Sequence, residues 1–246
     1  MCGRYASSRD VDDLVDEFDV AETHIAARLP ASYNVAPTDE VYAVVERPPR
    51  EDRPQQRQLR TLRWGLVPSW AKDASIGSRM INARMETVAE KPAFRKAFAS
   101  RRCLVPADGY YEWYATEQTG PRGKALKQPF FIRPKDSGVL AMAGLYEIWR
   151  DQSRSDDDPG AWRWTCTIIT TTAEDDLGRI HDRMPLMVAA DRWDAWLDPL
   201  HPAALELLEP ALPGRLEAYP VGPMVSNVRN NGPELIEPLP LEESLL

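Results

Sequence analysis

Four segments between residues 103 and 173 limit the folds open to this chain more than anything else in it. "CLVPADGYYEWYA", "QPFFIRP", "VLAMAGLYEIW" and "WTCTIITTTA" are rich in β-branched and aromatic residues. They are separated by the turn-rich runs "TEQTGPRGKALKQ" and "RDQSRSDDDPGA". Such side chains suit a pleated, half-buried surface, so consecutive strands are expected. No regular alternation with helices accompanies them and no internal repeat is visible, which argues against a doubly wound parallel sheet. The expectation is an α+β fold: a single domain over residues 1–246 with a mixed, mostly antiparallel, barrel-like β-sheet flanked by short helices.

The remaining segments fit that outline. Ser8 followed by Val11, Leu14, Val15 and Phe18 predicts a capped amphipathic helix. An alternating strand is expected over Val41–Val45, joined through the polar loop "RPPREDRPQQRQ" to "LRTLRWGLVP" as a long-tipped hairpin. "WAKDASIGSRMINARMET" reads as an extended loop, and "KPAFRKAFASR" as a short helix with Pro92 near its first turn. Short helices are expected around Arg192–Trp196 and Ala203–Leu208, then a strand near Leu216–Val221.

Composition excludes several function classes. No apolar run approaches the roughly 18 residues that a membrane-spanning helix needs. Arg4 and Arg9 are followed by no apolar core of a secretory signal, so a cytoplasmic location is expected. Cys2, Cys103 and Cys166 show no CxxC spacing, and His24, His181 and His201 form no HExxH or HxH pattern. A disulfide framework and a metal centre are therefore not expected, and no cofactor is. The net charge of −8 opposes a strongly basic nucleic-acid binder, yet residues 41–102 carry 14 basic against 6 acidic side chains. Either this is a local polyanion-binding surface, or the arginines solvate exposed loops.

The chemically suggestive residue is Cys2. Removal of Met1 would leave an amine of pKa ~8 and a thiol of pKa ~8.5 on adjacent carbons, both partly nucleophilic at neutral pH. Such an aminothiol can form an imine with an aldehyde and close to a thiazolidine; the bland reading is a frayed terminus. Arg4, close behind, suits a phosphate. Tyr33 and Asn34 open a second cluster, "YNVAPT". In "RMINARMET", Arg79 precedes Asn82 and Arg84, whose alternation puts both side chains on one side of an extended stretch, as polar loop or as ligand. Glu112 lies among Tyr110, Tyr111, Trp113 and Tyr114, where it is either an acid–base group or an outward-facing strand residue. His181 and Arg183 stand in "IHDRMP", with His181 a natural proton donor. Trp64 and Trp70 interleave with Arg63 as base-stacking platforms or as core residues.

These motifs occur together, with "CLVPADGYYEW", "QPFFI", "AGLYE", "TIITTTA" and "VSNVRNNGPEL", in an order that resembles the SOS response-associated peptidase (SRAP) family. Members of that family shield abasic sites in single-stranded DNA. The resemblance implies that Cys2 is the nucleophile forming a thiazolidine with the ring-opened sugar. It further implies that Asn82 holds the sugar or the amine, Glu112 manages the protons of the amine, and His181 assists ring opening. Arg4, Tyr33, Asn34, Trp64, Trp70, Arg79, Arg84 and Arg183 would line the DNA path. A minor lyase activity through the imine, and removal of Met1 or a short leader as the only proteolysis, are also expected. The expected partner is single-stranded DNA with an abasic site, bound by a monomer.

Two other classes remain open on sequence alone. A class-II glutamine amidotransferase also begins "MCG" and uses its terminal cysteine on an amide. A sensor of single-stranded DNA with no covalent chemistry is the third.

Overall fold

The computed structural model describes every residue except 1, 50, 52–53, 121–122, 156, 174–176, 211–212 and 241–246. In chain order the elements are β1 (Tyr5–Ser7), α1 (Val11–Glu17), β2 (Glu22–His24), β3 (Ser32–Val35), β4 (Glu40–Glu46), β5 (Arg57–Trp64) and β6 (Asn82–Arg84). Then follow α2 (Arg95–Ser100), β7 (Arg102–Ala107), β8 (Gly109–Thr119), β9 (Ala125–Pro134), β10 (Leu140–Arg150), β11 (Trp162–Thr172), β12 (Arg183–Pro185), α3 (Trp193–Leu197) and β13 (Leu216–Pro220).

Five of these strands close on themselves. β11 pairs with β10, β10 with β7, β7 with β4 and β4 with β5, all antiparallel. β5 then returns to β11 in a parallel pairing, Cys166 opposite Trp64. A ring of five strands has an odd number of seams, so alternating directions cannot close it and one seam must be parallel. A second sheet, in the order β13-β9-β8-β1-β3, packs beside the ring. The α+β, mixed, barrel-like architecture expected from the sequence is the one observed.

Strand periodicity sorts the side chains into two cores. Val41, Ala43 and Val45 of β4 join Leu62, Trp64, Cys103, Val105, Met142, Cys166 and Ile168 in one cluster, together with Cys2, Tyr5 and Tyr110 of the second sheet's side. The intervening Tyr42 and Val44 join the cluster that holds Leu14 and Phe18 of α1, Phe98 of α2, and Trp196 and Leu197 of α3. β4 is thus buried on both faces because helices cover its outer one.

Several local expectations shift. The cap of α1 is Asp10, whose side chain accepts from the Asp12 amide, while the Ser8 amide donates to Asp108 at 2.6 Å. α2 begins at Arg95, so Pro92 lies in the turn before it. The loop after Trp70 is not featureless: it holds a 3-10 helix, Ala74–Arg79, capped by Asp73, and then β6. The expected helices near 192–196 and 203–208 are α3 and a 3-10 turn, Ala204–Leu207. Among the described residues no helix is long and apolar enough to cross a membrane.

Candidate active site at the amino-terminal strand

β1 lies between β3 and β8, with Tyr5 opposite Val35 on one side and Tyr110 on the other. That pairing carries the residues before it into the inner core, where Tyr5 meets Trp64 edge to face, ring centroids 5.3 Å apart. Cys2 is completely buried there. Burial, reinforced by the charge of Glu112, pushes its thiol far above the ordinary range, so the sulfur is held protonated. The partly ionised thiol expected from free-cysteine chemistry is not what this site holds.

Asn82 reaches Cys2 from β6, its Nδ2 donating to the Cys2 carbonyl oxygen at 2.7 Å. Three contacts put it there. β6 runs parallel to β11 with Asn82 opposite Ile168. The Ile81 carbonyl accepts from Trp64 Nε1 at 2.9 Å and from the Ile168 amide at 3.0 Å. Gly65, at φ +120°, lies directly against Gly77, where a Cβ on either residue would come within 2.6 Å of the other's carbonyl oxygen. Asn82 and Arg84 project to the same side of β6, as their alternation predicts, with Ala83 buried between them. Asn82 Oδ1 is buried without a hydrogen-bond partner among the described residues, an acceptor left open for a ligand.

Glu112 comes from β8 and is 4% exposed, so it is not an outward-facing strand residue. Burial pushes its carboxyl up to about 7, the positive amino terminus pulling against that shift and Asp182 adding to it. His181 follows the 3-10 turn Leu177–Arg179. Burial lowers its pKa, and the amino terminus lowers it further. Its Nδ1 accepts from the Arg183 amide at 3.0 Å, so the proton of the neutral ring sits on Nε2; when protonated, Nδ1 faces the Asp182 carboxylate at 2.9 Å.

The expected DNA-facing residues divide. Trp70 is 57% exposed, and Arg79 and Arg84 are exposed. Trp64 is 0% exposed, with its indole N–H engaged by Ile81, so it cannot stack on a base and belongs to the core. Arg183 is held by the Glu86 carboxylate and the Thr170 carbonyl, which anchors the His181 loop. Tyr33 is half-buried; its carbonyl accepts from Tyr111 Oη and its amide donates to Asn231. Asn34 is buried, its side chain bonded to Arg4 and to carbonyls of residues 225–230. Trp113, which no sequence pattern singled out as a site residue, has its ring centroid 5.7 Å from the Arg4 guanidinium, and the "VSNVRNNGPEL" segment supplies the carbonyls that hold Asn34.

The basic stretch is also less basic in space than on paper. Arg57 pairs with Glu46 and Asp194, Arg101 with Glu147, Arg60 stacks on Trp164, and Arg102 is buried among carbonyls. Arg63, Lys72, Arg79, Arg84, Lys91, Arg95 and Lys96 remain exposed. A cleft of about 430 Å3 near Val188, Trp196, Leu207 and Arg215 is lined by none of Cys2, Asn82, Glu112 or His181.

Fold and site together define a closed mixed β-barrel with a buried cysteine at residue 2, seated against an amide and a carboxyl of raised pKa. A solved structure of a protein from Bacteroides thetaiotaomicron has the same fold, with a TM-score of 0.79 and 25% identity over 97% of this chain and 100% of that one. A family model described as SOS response associated peptidase (SRAP) matches residues 1–228, and the chain belongs to that family. It is 40% identical over 240 residues to the abasic site processing protein YoaM of Bacillus subtilis, covering 96% of this chain and 98% of that protein. It is 31% identical to the abasic site processing protein YMR114C of Saccharomyces cerevisiae, over 99% of this chain and 70% of that one.

Proposed function

We propose that this protein captures abasic sites in single-stranded DNA by a covalent bond to Cys2, freed of Met1. The observation that carries the reading is the placement of a buried, protonated Cys2 thiol beside a carboxyl that titrates near neutrality. The open-chain sugar presents an aldehyde. The Cys2 amine adds to its carbon, and loss of one water gives the imine. The Cys2 sulfur then bonds to the same carbon, its proton passes to Glu112, and a proton returns to the nitrogen. Aldehyde and aminothiol thus become thiazolidine and water, with nothing oxidised or reduced.

Each neighbour has a part. Glu112 takes the thiol proton that burial otherwise holds in place. His181 hydrogen-bonds from Nε2 to the ring oxygen of the closed sugar; as the C1–oxygen bond breaks, that oxygen takes up a proton and the C1 hydroxyl gives one up, so opening to the aldehyde changes no net protonation. Asn82 fixes the Cys2 carbonyl, and its free Oδ1 accepts from a sugar hydroxyl. Arg84, Arg79, Arg4 and the exposed Trp70 hold the phosphates and a flanking base. All these groups come from one chain, so a monomer suffices. Before ring closure the imine also permits slow strand cleavage, a minor lyase activity.

Incubation with single-stranded DNA bearing one abasic site, followed by a denaturing gel, tests the reading. A heat-stable band absent in Cys2→Ala is expected, and initial binding should weaken steeply with salt as phosphate contacts release counterions. No band together with ammonia release from glutamine would instead identify an amidotransferase.

A further inference from the structure

Asn34 is a buried amide with every polar atom engaged. Its Oδ1 accepts from Arg4 Nη1 at 2.7 Å, and its Nδ2 faces the carbonyls of Val225, Asn227 and Asn230 at 3.3, 3.0 and 2.8 Å. Arg4 Nη1 also donates to the Val225 carbonyl at 2.9 Å. The loop that supplies these carbonyls is itself fastened to β3: Asn231 accepts from the Tyr33 amide at 2.7 Å and donates to the Ala31 carbonyl at 3.1 Å. Trp113, under the Arg4 guanidinium, donates from Nε1 to Ser226 Oγ at 3.1 Å.

These groups grip Arg4 without neutralising it. Its hydrogen-bond partners are an amide oxygen and a carbonyl oxygen, both uncharged; the Asp39 carboxylate acts on it through space, with no ion pair between them among the described residues. A guanidinium that is half-buried, oriented and bonded to no carboxylate is prepared for an anion. It stands two residues from Cys2. We propose that Asn34 is a positioning residue: it never touches DNA, and it locks Arg4 between β3 and the 223–231 loop to receive the phosphate beside the lesion. This rests on the reading that the site binds DNA. It assigns "VSNVRNNGPEL" a role, as the carbonyl side of the clamp. An aspartate at position 34 would keep the acceptor for Arg4. It would also cancel the arginine's charge and set a carboxylate oxygen against the loop carbonyls.

A double-mutant cycle tests the clamp, using a single-stranded oligonucleotide with an inert tetrahydrofuran abasic analogue and binding read by anisotropy across a salt series. Arg4→Gln is expected to raise the Kd about tenfold and reduce the salt slope by about one. Asn34→Ala should raise the Kd about fivefold and flatten the slope in the same direction, and Asn34→Asp should do at least as much. In the Arg4→Gln background, Asn34→Ala should add less than about twofold, because the residue acts through Arg4. Should Asn34→Ala fail to give a native circular-dichroism spectrum, Asn34→Ser takes its place in the cycle. Multiplicative losses in the double variant, or an unchanged salt slope in Asn34→Ala and Asn34→Asp, would overturn the proposal. Because the analogue cannot react, a wild-type protein that binds it with this coupling yet forms no adduct with DNA bearing a true abasic site would sink the capture chemistry and leave the clamp standing.

Discussion

The Asn82 amide hydrogen-bonds the Cys2 carbonyl at 2.7 Å, joining residues 80 positions apart through the parallel pairing of β6 with β11. This bond makes the placement of the first residues depend on a strand from the middle of the chain. A neutral hydrogen bond is worth about 1 kcal/mol net, so Asn82→Ala should slow covalent capture about fivefold, more if its Oδ1 also grips the sugar. Asn82→Asp, which sets a charge against the carbonyl, should be slower still. Single-turnover crosslinking measures both, and a wild-type rate in either would contradict the assignment.

Glu112 sets the pH dependence. Burial raises its carboxyl from 4.5 to about 7. If the carboxylate accepts the thiol proton, capture should accelerate as pH rises through about 7, and Glu112→Gln should remove that inflection. Stability runs the other way. A raised folded-state pKa means that the native state binds the proton more tightly than the unfolded chain does. Its contribution is complete below about 4.5 and is lost as pH rises through about 7. The Tm of the wild type should therefore fall between pH 5 and pH 8 by more than that of Glu112→Gln.

Gly77 tests the mechanical link between loop and site. A Cβ there would lie 2.5 Å from the Gly65 carbonyl oxygen, so the two loops must separate. Gly77→Ala should cost about 1–3 kcal/mol of stability and slow capture by displacing Ile81 and Asn82, although it touches no reacting atom. Unchanged capture with a lowered Tm would show that Asn82 does not need this contact.

Arg102 separates stability from chemistry. Its guanidinium donates to the carbonyls of Trp196 at 2.7 Å, Phe98 at 2.8 Å, Ala99 at 2.9 Å and also Asp198, tying the ends of α2 and α3 to β7. Arg102→Met leaves those carbonyls without the donor and should lower stability by about 3 kcal/mol, or roughly 10 °C in Tm. Capture at 25 °C should be unaltered. Thermal unfolding and single-turnover rates on the same preparation decide it.

What could be read ahead of the coordinates was local. β-branched runs marked β7 to β11 well, and the alternation of Asn82 and Arg84 correctly placed both on one side of β6. The barrel-like sheet was expected, but local patterns left open which seams close it and which side chains closure buries. No periodicity announces the parallel β5–β11 seam, yet that seam encloses Trp64 and removes it from the surface. The charge count of residues 41–102 could not reveal that Arg57, Arg101 and Arg102 answer partners from distant segments, Asp194, Glu147 and Trp196. Glu112 stayed open between two readings for a related reason: the core containing Cys2 covers the face that a single sheet would leave wet, and so buries it.

The most direct test of the account is the intact mass of the adduct between the wild-type protein and an abasic single-stranded oligonucleotide. The predicted mass is that of the chain without Met1 plus the oligonucleotide minus one water, unchanged after borohydride treatment and absent in Cys2→Ala. An adduct that gains two hydrogens on borohydride treatment is an imine that never closed. An adduct that persists in Cys2→Ala, or one on a chain retaining Met1, would contradict capture by the amine and thiol of Cys2.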